Sequence, residues 1–242
     1  MTQTQIVLVP GFWLGAWAWD DVVPHLRDRG HDVLALTLPG LDPANSRRGE
    51  VTLDEHAEAI LAALDRDAER RVLVVHSGAA VPGTMVLDRA ADLVDHVVFV
   101  DTAPVRDSFA LAPTVQGDEH PLSAAWDEQV ESGSLRDLTD DQLTTLRERA
   151  VPQPAQTVRG TATLTNPQRL DVPGTVICTS FPSADFLAYA AQGADFLAGL
   201  NDHQHLRFVD LPTGHWPMWS RPAQLAELIA DAADQGGAGG PG

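Results

Sequence analysis

From Gln5 to Val100 the chain alternates short runs of branched apolar residues with longer segments of helical periodicity. That alternation dictates successive β-α-β units wound around a parallel sheet. Gln5–Val9 reads as a strand closed by Pro10-Gly11, and Val33–Leu38 as one closed by Pro39-Gly40. Trp19–Arg29 carries apolar residues at helical spacing and stops at Gly30, a residue suited to the position after a helix. Thr52–Asp67 reads as a second helix, opened by Thr52 with Glu55 three residues on, the pattern of a capping box. Arg71–Val75 and His96–Val100 are continuously apolar, as inner parallel strands covered on both faces must be. Gly78–Ala91, between them, reads as a helix of small residues.

The pattern breaks after Ala103. Residues 104–171 show no strong strand, hold Pro113, Pro121, Pro152, Pro154 and Pro167, and offer one clear helix near Asp140–Ala150. This stretch is expected to be a lid over the sheet, not an independent domain. Strands resume at Thr175–Thr179 and Leu206–Asp210, and Arg221–Ala233 makes a closing helix. The expected division is a core formed by 1–103 and 172–234, a lid at 104–171, and a Gly-rich disordered tail at 235–242.

Composition removes whole classes of function. A net charge of −18 repels phosphate backbones and anionic bilayers, so neither nucleic acid nor membrane is an expected partner. All sixteen basic residues are arginine. Without lysine there is no side-chain Schiff base, no anchored pyridoxal phosphate and no Walker-type phosphate loop. Cys178 is the single cysteine, which excludes an internal disulfide and a cysteine-rich zinc site. His203 and His205 lack a close acidic or cysteine partner and read as surface histidines, so no metal is expected. The opening MTQTQIVLVPG lacks the features of a signal peptide, and no apolar run reaches about 18 residues. A cytoplasmic location is the expectation; the oligomeric state is not readable.

Three segments carry chemistry. Val75-His76-Ser77-Gly78-Ala79-Ala80 lies between a buried strand and the small-residue helix, where a sharp turn lifts a serine hydroxyl above the sheet. Such a turn wants small neighbours two before and two after the serine. Ala79 meets that demand and Val75 does not, so crowding against the helix is expected. The second segment, Leu8-Val9-Pro10-Gly11-Phe12-Trp13, follows the first strand and can bring a backbone N–H beside the serine. The amides of Phe12 and Gly78 are the candidate oxyanion donors. The third, Leu211-Pro212-Thr213-Gly214-His215-Trp216, follows the last strand. It can swing His215 over Ser77 as general base and then general acid.

These segments resemble the α/β-hydrolase superfamily over almost the whole chain. The likeness is greatest to the small esterase and hydroxynitrile-lyase-like group and its bacterial relatives. It rests on PGFWLGAWAWDDVVPHLRDRGHDV at 10–33, LTLPG at 36–40, VHSGA at 75–79, VPQP at 151–154 and GHWPMWSRP at 214–222. The resemblance implies a mostly parallel sheet flanked by helices and a Ser-His-acid triad. Members usually show His-Gly at positions 10–11 and Gly at position 75. Lyases of the group use a lysine beside the histidine, which this chain lacks; that favours hydrolysis.

The acid has two candidates. In most relatives it follows the next-to-last strand, where this chain reads Thr179-Ser180-Phe181-Pro182-Ser183-Ala184-Asp185. Asp101 sits at the carboxyl end of a buried strand, the edge where sites gather in open α/β sheets, and is preferred over Asp185. Trp13 and Trp216 flank the site segments and are candidate walls of an apolar or aromatic acyl pocket. The expected function is a cofactor-independent serine hydrolase, acting through an acyl-serine on an ester, thioester or lactone of a small apolar substrate. Two alternatives stay open. One is a lactonase or cyclase acting on a secondary metabolite with the same triad. The other is a non-catalytic ligand-binding protein, suggested by Val75 and the displaced acid.

Overall fold

The computed structural model describes residues 4–65 and 67–235. Six parallel strands form the central sheet. They are β1 (Thr4–Val9), β2 (Asp32–Ala35), β3 (Arg70–His76), β4 (His96–Val100), β7 (Gly174–Cys178) and β8 (Leu206–Asp210), in spatial order β2-β1-β3-β4-β7-β8. Val9 pairs with Val75, His76 with Val100, Val100 with Ile177 and Ile177 with Val209. The carboxyl ends of five strands are therefore level, and the loops that follow them leave from one edge.

Side chains alternate between two apolar layers, as the pleat requires. Val7, Leu73, Val75, Phe99 and Val176 face α2 (Leu53–Ala63) and α3 (Ala80–Arg89). Leu8, Val74, Val98 and Ile177 share the opposite layer with α1 (Val23–Asp28) and the closing helix Pro222–Asp234. The Thr52–Glu55 capping box is present at the start of α2.

Several boundaries differ from the sequence expectation. The first helix begins only at Val23, after a separate 3-10 turn at Ala16–Trp19, and Pro24 occupies its first turn. β2 stops at Ala35, and the Thr37 hydroxyl accepts from the Ala16 amide at 2.9 Å. Between β4 and β7 the chain leaves the sheet through 104–171. This cap segment holds β5 (Glu119–His120) paired antiparallel with β6 (Gln153–Pro154), and the helices α4 (Leu122–Glu131), α5 (Asp140–Arg149) and α6 (Ala155–Arg159). A further helix, α7 (Ser183–Ala191), and a 3-10 stretch at Asp195–Asn201 precede β8. Of the expected tail, all but Gln235 lies outside the described residues.

The crowding expected at Val75 does not arise, because α3 supplies the missing space. A Cβ on Gly83 would lie 2.6 Å from Val75 Cγ1, so the glycine that usually sits in the strand is replaced by one in the helix. Gly83→Ala is accordingly expected to destabilise the fold by about 1–3 kcal/mol through overpacking. That loss appears despite a helix-propensity gain of about 1 kcal/mol. Adding Val75→Ala should restore much of it, which urea midpoints of the two singles and the double would show. Strictly additive midpoints would mean that the two residues do not share this space.

Candidate active site

Two of the strands end in strain. Ser77, directly after β3, has φ +52°, and Asp101, directly after β4, has φ +48°. Non-glycine residues rarely occupy this left-handed region, and where they do the surroundings hold them there. Ser77 opens a short 3-10 turn that runs into α3, which lifts its hydroxyl over the sheet edge.

His215, in the loop after β8, joins the two. Ser77 Oγ donates to His215 Nε2 at 2.7 Å, and His215 Nδ1 donates to Asp101 Oδ2 at 2.5 Å. Asp101 is buried yet fully satisfied. Its Oδ1 accepts from the Thr179 amide at 3.0 Å and the Ser180 amide at 2.8 Å, and its Oδ2 also accepts the Ser180 hydroxyl at 2.5 Å. Burial by itself raises the carboxyl pKa, but the His215 and Ser180 bonds outweigh it and hold Asp101 well below the usual carboxylate range. An ionised Asp101 fixes the proton on Nδ1 and leaves Nε2 free to accept from Ser77. Asp185, the other candidate acid, lies in the first turn of α7 and makes no bond to His215 among the described residues.

His76 was not singled out in the sequence. It is fully buried, its ring centre lies 4.8 Å from that of His215, and its Nε2 donates to the His215 carbonyl at 2.8 Å. Burial, aided by the nearby His215 charge, pushes its pKa down to about 3. It is therefore a neutral prop under the imidazole and not a second base. Cys178 is no rival nucleophile, since burial pushes its thiol up to about 12.

The loop after β1 presses on the turn at Ser77. A Cβ on Gly11 would come within 2.8 Å of His76 Nδ1 and 2.9 Å of Ser77 Cβ, and one on Gly78 within 2.4 Å of Phe12 Cε1. Glycine at 11 and 78 leaves room for the His76, Ser77 and Phe12 side chains. The Phe12 amide donates to no protein acceptor among the described residues.

Trp13 and Trp216 need correction as pocket walls. Neither lines the cavity beside Ser77. Trp13 is buried, and its positive φ of 67° goes with a side chain packed into the cap. Its Nε1 donates to the His120 carbonyl at 2.9 Å, its amide to Gln153 Oε1 at 3.2 Å, and its carbonyl accepts from the Val151 amide at 2.9 Å. Trp216 is buried behind His215 and stacks on Trp219 at 5.7 Å, which stacks on Trp17 at 5.5 Å. Both rings are core, and they fix the loops on which Phe12 and His215 stand.

The aromatic wall is phenylalanine instead. A cavity of about 270 Å³ adjoins Ser77 and His215, walled by Val81, Val105, Phe109, Phe186 and Leu197. Its mouth carries Leu111, Phe181 and Phe196, whose exposures of 38%, 44% and 53% mark an open apolar rim. Among the described residues Asp101 is the only acid that lines it, and no arginine does. Ser132 and Ser134 add a pair of hydroxyls 2.8 Å apart.

Among the described residues no group of three or more His, Cys, Asp or Glu side chains is placed to hold a metal ion. His205 is exposed, whereas both ring nitrogens of His203 are buried, contrary to the surface reading of that pair. No helix among the described residues is long and apolar enough to cross a membrane.

Comparison with known proteins bears on the fold and the family. The chain is 34% identical over 101 residues to a carbendazim-hydrolysing esterase of Nocardioides sp. (strain SG-4G), covering 41% of this chain and 42% of that one. It is 35% identical over 106 residues to the esterase PIR7B of Oryza sativa subsp. japonica, covering 42% of this chain and 40% of the relative. The matched chain thus spans about two-fifths of the length of these curated relatives. A solved methylesterase from Arabidopsis superposes with a TM-score of 0.71 at 18% identity, over 96% of this chain and 99% of the other, a likeness of fold. The family described as "Alpha/beta hydrolase family" matches residues 6–228, and the chain belongs to it.

Proposed function

We propose that this protein is a serine hydrolase that cleaves a small, uncharged, apolar or aromatic ester through an acyl-serine intermediate. The observation that carries the reading is the unbroken relay Ser77 Oγ, His215, Asp101, with links of 2.7 and 2.5 Å. In the proposed cycle His215 Nε2 takes the Ser77 proton as Oγ attacks the ester carbonyl. The amides of Phe12 and Gly78 receive the developing oxyanion. His215 then protonates the departing alcohol, and the alcohol leaves. A water molecule, deprotonated by the same nitrogen, attacks the acyl-serine and releases the acid.

The esterase names of the relatives support ester over amide substrates. The apolar wall and the absence of an arginine from it favour an uncharged substrate. Thioesters and lactones would enter by the same first step, and product analysis on a lactone panel separates ring opening from simple hydrolysis. The two features that suggested a decayed site have structural accounts, since Gly83 makes room for Val75 and Asp101 reaches His215.

A fluorophosphonate probe tests the reading. Labelling is expected at Ser77, abolished by Ser77→Ala and slowed by about 10³-fold or more in His215→Ala. A folded wild-type protein that neither labels nor hydrolyses aryl esters would end the hydrolase reading.

A further inference from the structure

We infer that Arg136, in the cap segment, is a positioning residue that holds the acid and the base of the triad in register. The inference rests on the hydrolase reading above and adds a residue that no sequence motif marks.

Arg136 Nη2 donates to the carbonyl oxygens of Thr179 at 3.0 Å and Ser180 at 2.9 Å, and also to that of Thr213. The first two belong to the loop whose amides hold Asp101; the third lies two residues before His215. One peptide unit is gripped from both ends. The Thr179 carbonyl faces the guanidinium, and the N–H of the same peptide, that of Ser180, donates to Asp101 Oδ1 at 2.8 Å. A peptide dipole set between a cation and an anion is polarised by both, so each bond strengthens the other. Arg136 pairs with no carboxylate among the described residues, which leaves its charge directed at these carbonyls.

The surrounding cap residues complete the bracket. The Ser134 carbonyl accepts the His215 amide at 2.8 Å, and Asp137 Oδ2 accepts the Thr213 hydroxyl at 3.0 Å. Gly214 passes so close that a Cβ there would lie 2.3 Å from the Arg136 carbonyl oxygen. On the other side of Ser77, Trp13 ties the loop after β1 to the same cap by three hydrogen bonds. Hydrogen bonds thus tie the loops on both flanks of Ser77 to the cap, and Leu111, Phe181 and Phe196 form the exposed rim of the cavity between them.

The test compares wild type with Arg136→Ala, Arg136→Gln and Arg136→Lys. Each is assayed for kcat and KM on an aryl ester and for the low-field proton resonance of His215 Nδ1–H. Arg136→Ala is expected to lower kcat by about 100-fold, the scale of an ångström-sized misplacement. KM should stay within about 3-fold, because Arg136 does not line the cavity. The low-field resonance should broaden or vanish. Lysine, with three N–H donors for three carbonyls, should recover kcat to within about 5-fold. Should the alanine variant not fold, Arg136→Gln is the operative variant and must still lower kcat with KM unchanged. A kcat and resonance unchanged in Arg136→Ala or Arg136→Gln overturn the bracket while leaving the hydrolase reading intact. So does a lysine variant no better than alanine whose activity merely tracks its melting temperature. A wild type that is inert but shows a resonance lost in Arg136→Ala overturns the hydrolase reading and leaves the bracket standing.

Discussion

Asp101→Asn is expected to lower kcat/KM by about four orders of magnitude, near 5.5 kcal/mol of transition-state stabilisation, in a protein that still folds. The loss comes from the wrong imidazole tautomer. The Thr179 and Ser180 amides both donate to Oδ1, so that atom must remain an acceptor and the new side chain must place its oxygen there. The asparagine NH2 then falls where Oδ2 stood, facing His215 Nδ1 and the Ser180 hydroxyl. A donor facing Nδ1 forces the ring proton onto Nε2, and an Nε2–H cannot accept a proton from Ser77. The loss therefore appears in the chemical step, with circular dichroism and KM little changed. Asp185→Asn, in a side chain that makes no bond to His215 among the described residues, should leave turnover within about 2-fold. An Asp101→Asn enzyme that keeps a tenth of wild-type turnover would show that another group sets the tautomer.

The sequence and the structure meet most closely where chemistry follows strand ends. Ser77, Asp101 and His215 each stand in a loop after a parallel strand, and level registry at the carboxyl edge is enough to bring such loops together. What was not legible has physical causes. Trp13 and Trp216 sit beside site residues in sequence, but composition says nothing about which way a ring turns. Trp13, at positive φ, packs into the cap, and Trp216 packs into the core. The true aromatic wall draws on Phe181, Phe186 and Phe196, from a segment whose small and polar residues gave no clear period. Arg136 is invisible for another reason. Its partners are backbone carbonyls, which leave no mark on the identity of residues 179, 180 and 213. The Val75–Gly83 exchange was readable in principle, since a mid-helix glycine costs stability and so asks for a packing reason.

Acid should unfold this protein well above the range where its carboxylates are protonated. The buried His56, His76 and His96 and the half-buried His203 are held neutral by the fold. Burial is the first cause in every case, and it takes His56, His96 and His203 down to about 4 and His76 to about 3, from an ordinary value of 6.5. Around His96 the Arg70 and Arg207 charges add to burial, and around His203 the Arg169 charge does. The pKa values are depressed on folding, so between about 6.5 and 4 the unfolded chain binds more protons than the native one. Stability is therefore complete above 6.5 and falls as the pH drops through that window. With four protons at stake the slope near pH 5 is about 5 kcal/mol per pH unit, against a total stability on the order of 5–15 kcal/mol. Net charge pushes the opposite way. The charge of −18 shrinks toward a pI near 4.6, which relieves self-repulsion and would by itself stabilise the fold on acidification. The sign of the pH dependence thus separates the two effects. Urea midpoints taken at pH 7.5, 6.5 and 5.5 should fall, steeply in the last interval. His203→Phe, which removes a ring whose two nitrogens have no partner among the described residues, should flatten the slope by about a quarter. Midpoints that hold steady or rise toward pH 5.5 would mean that these imidazoles reach water in the native state.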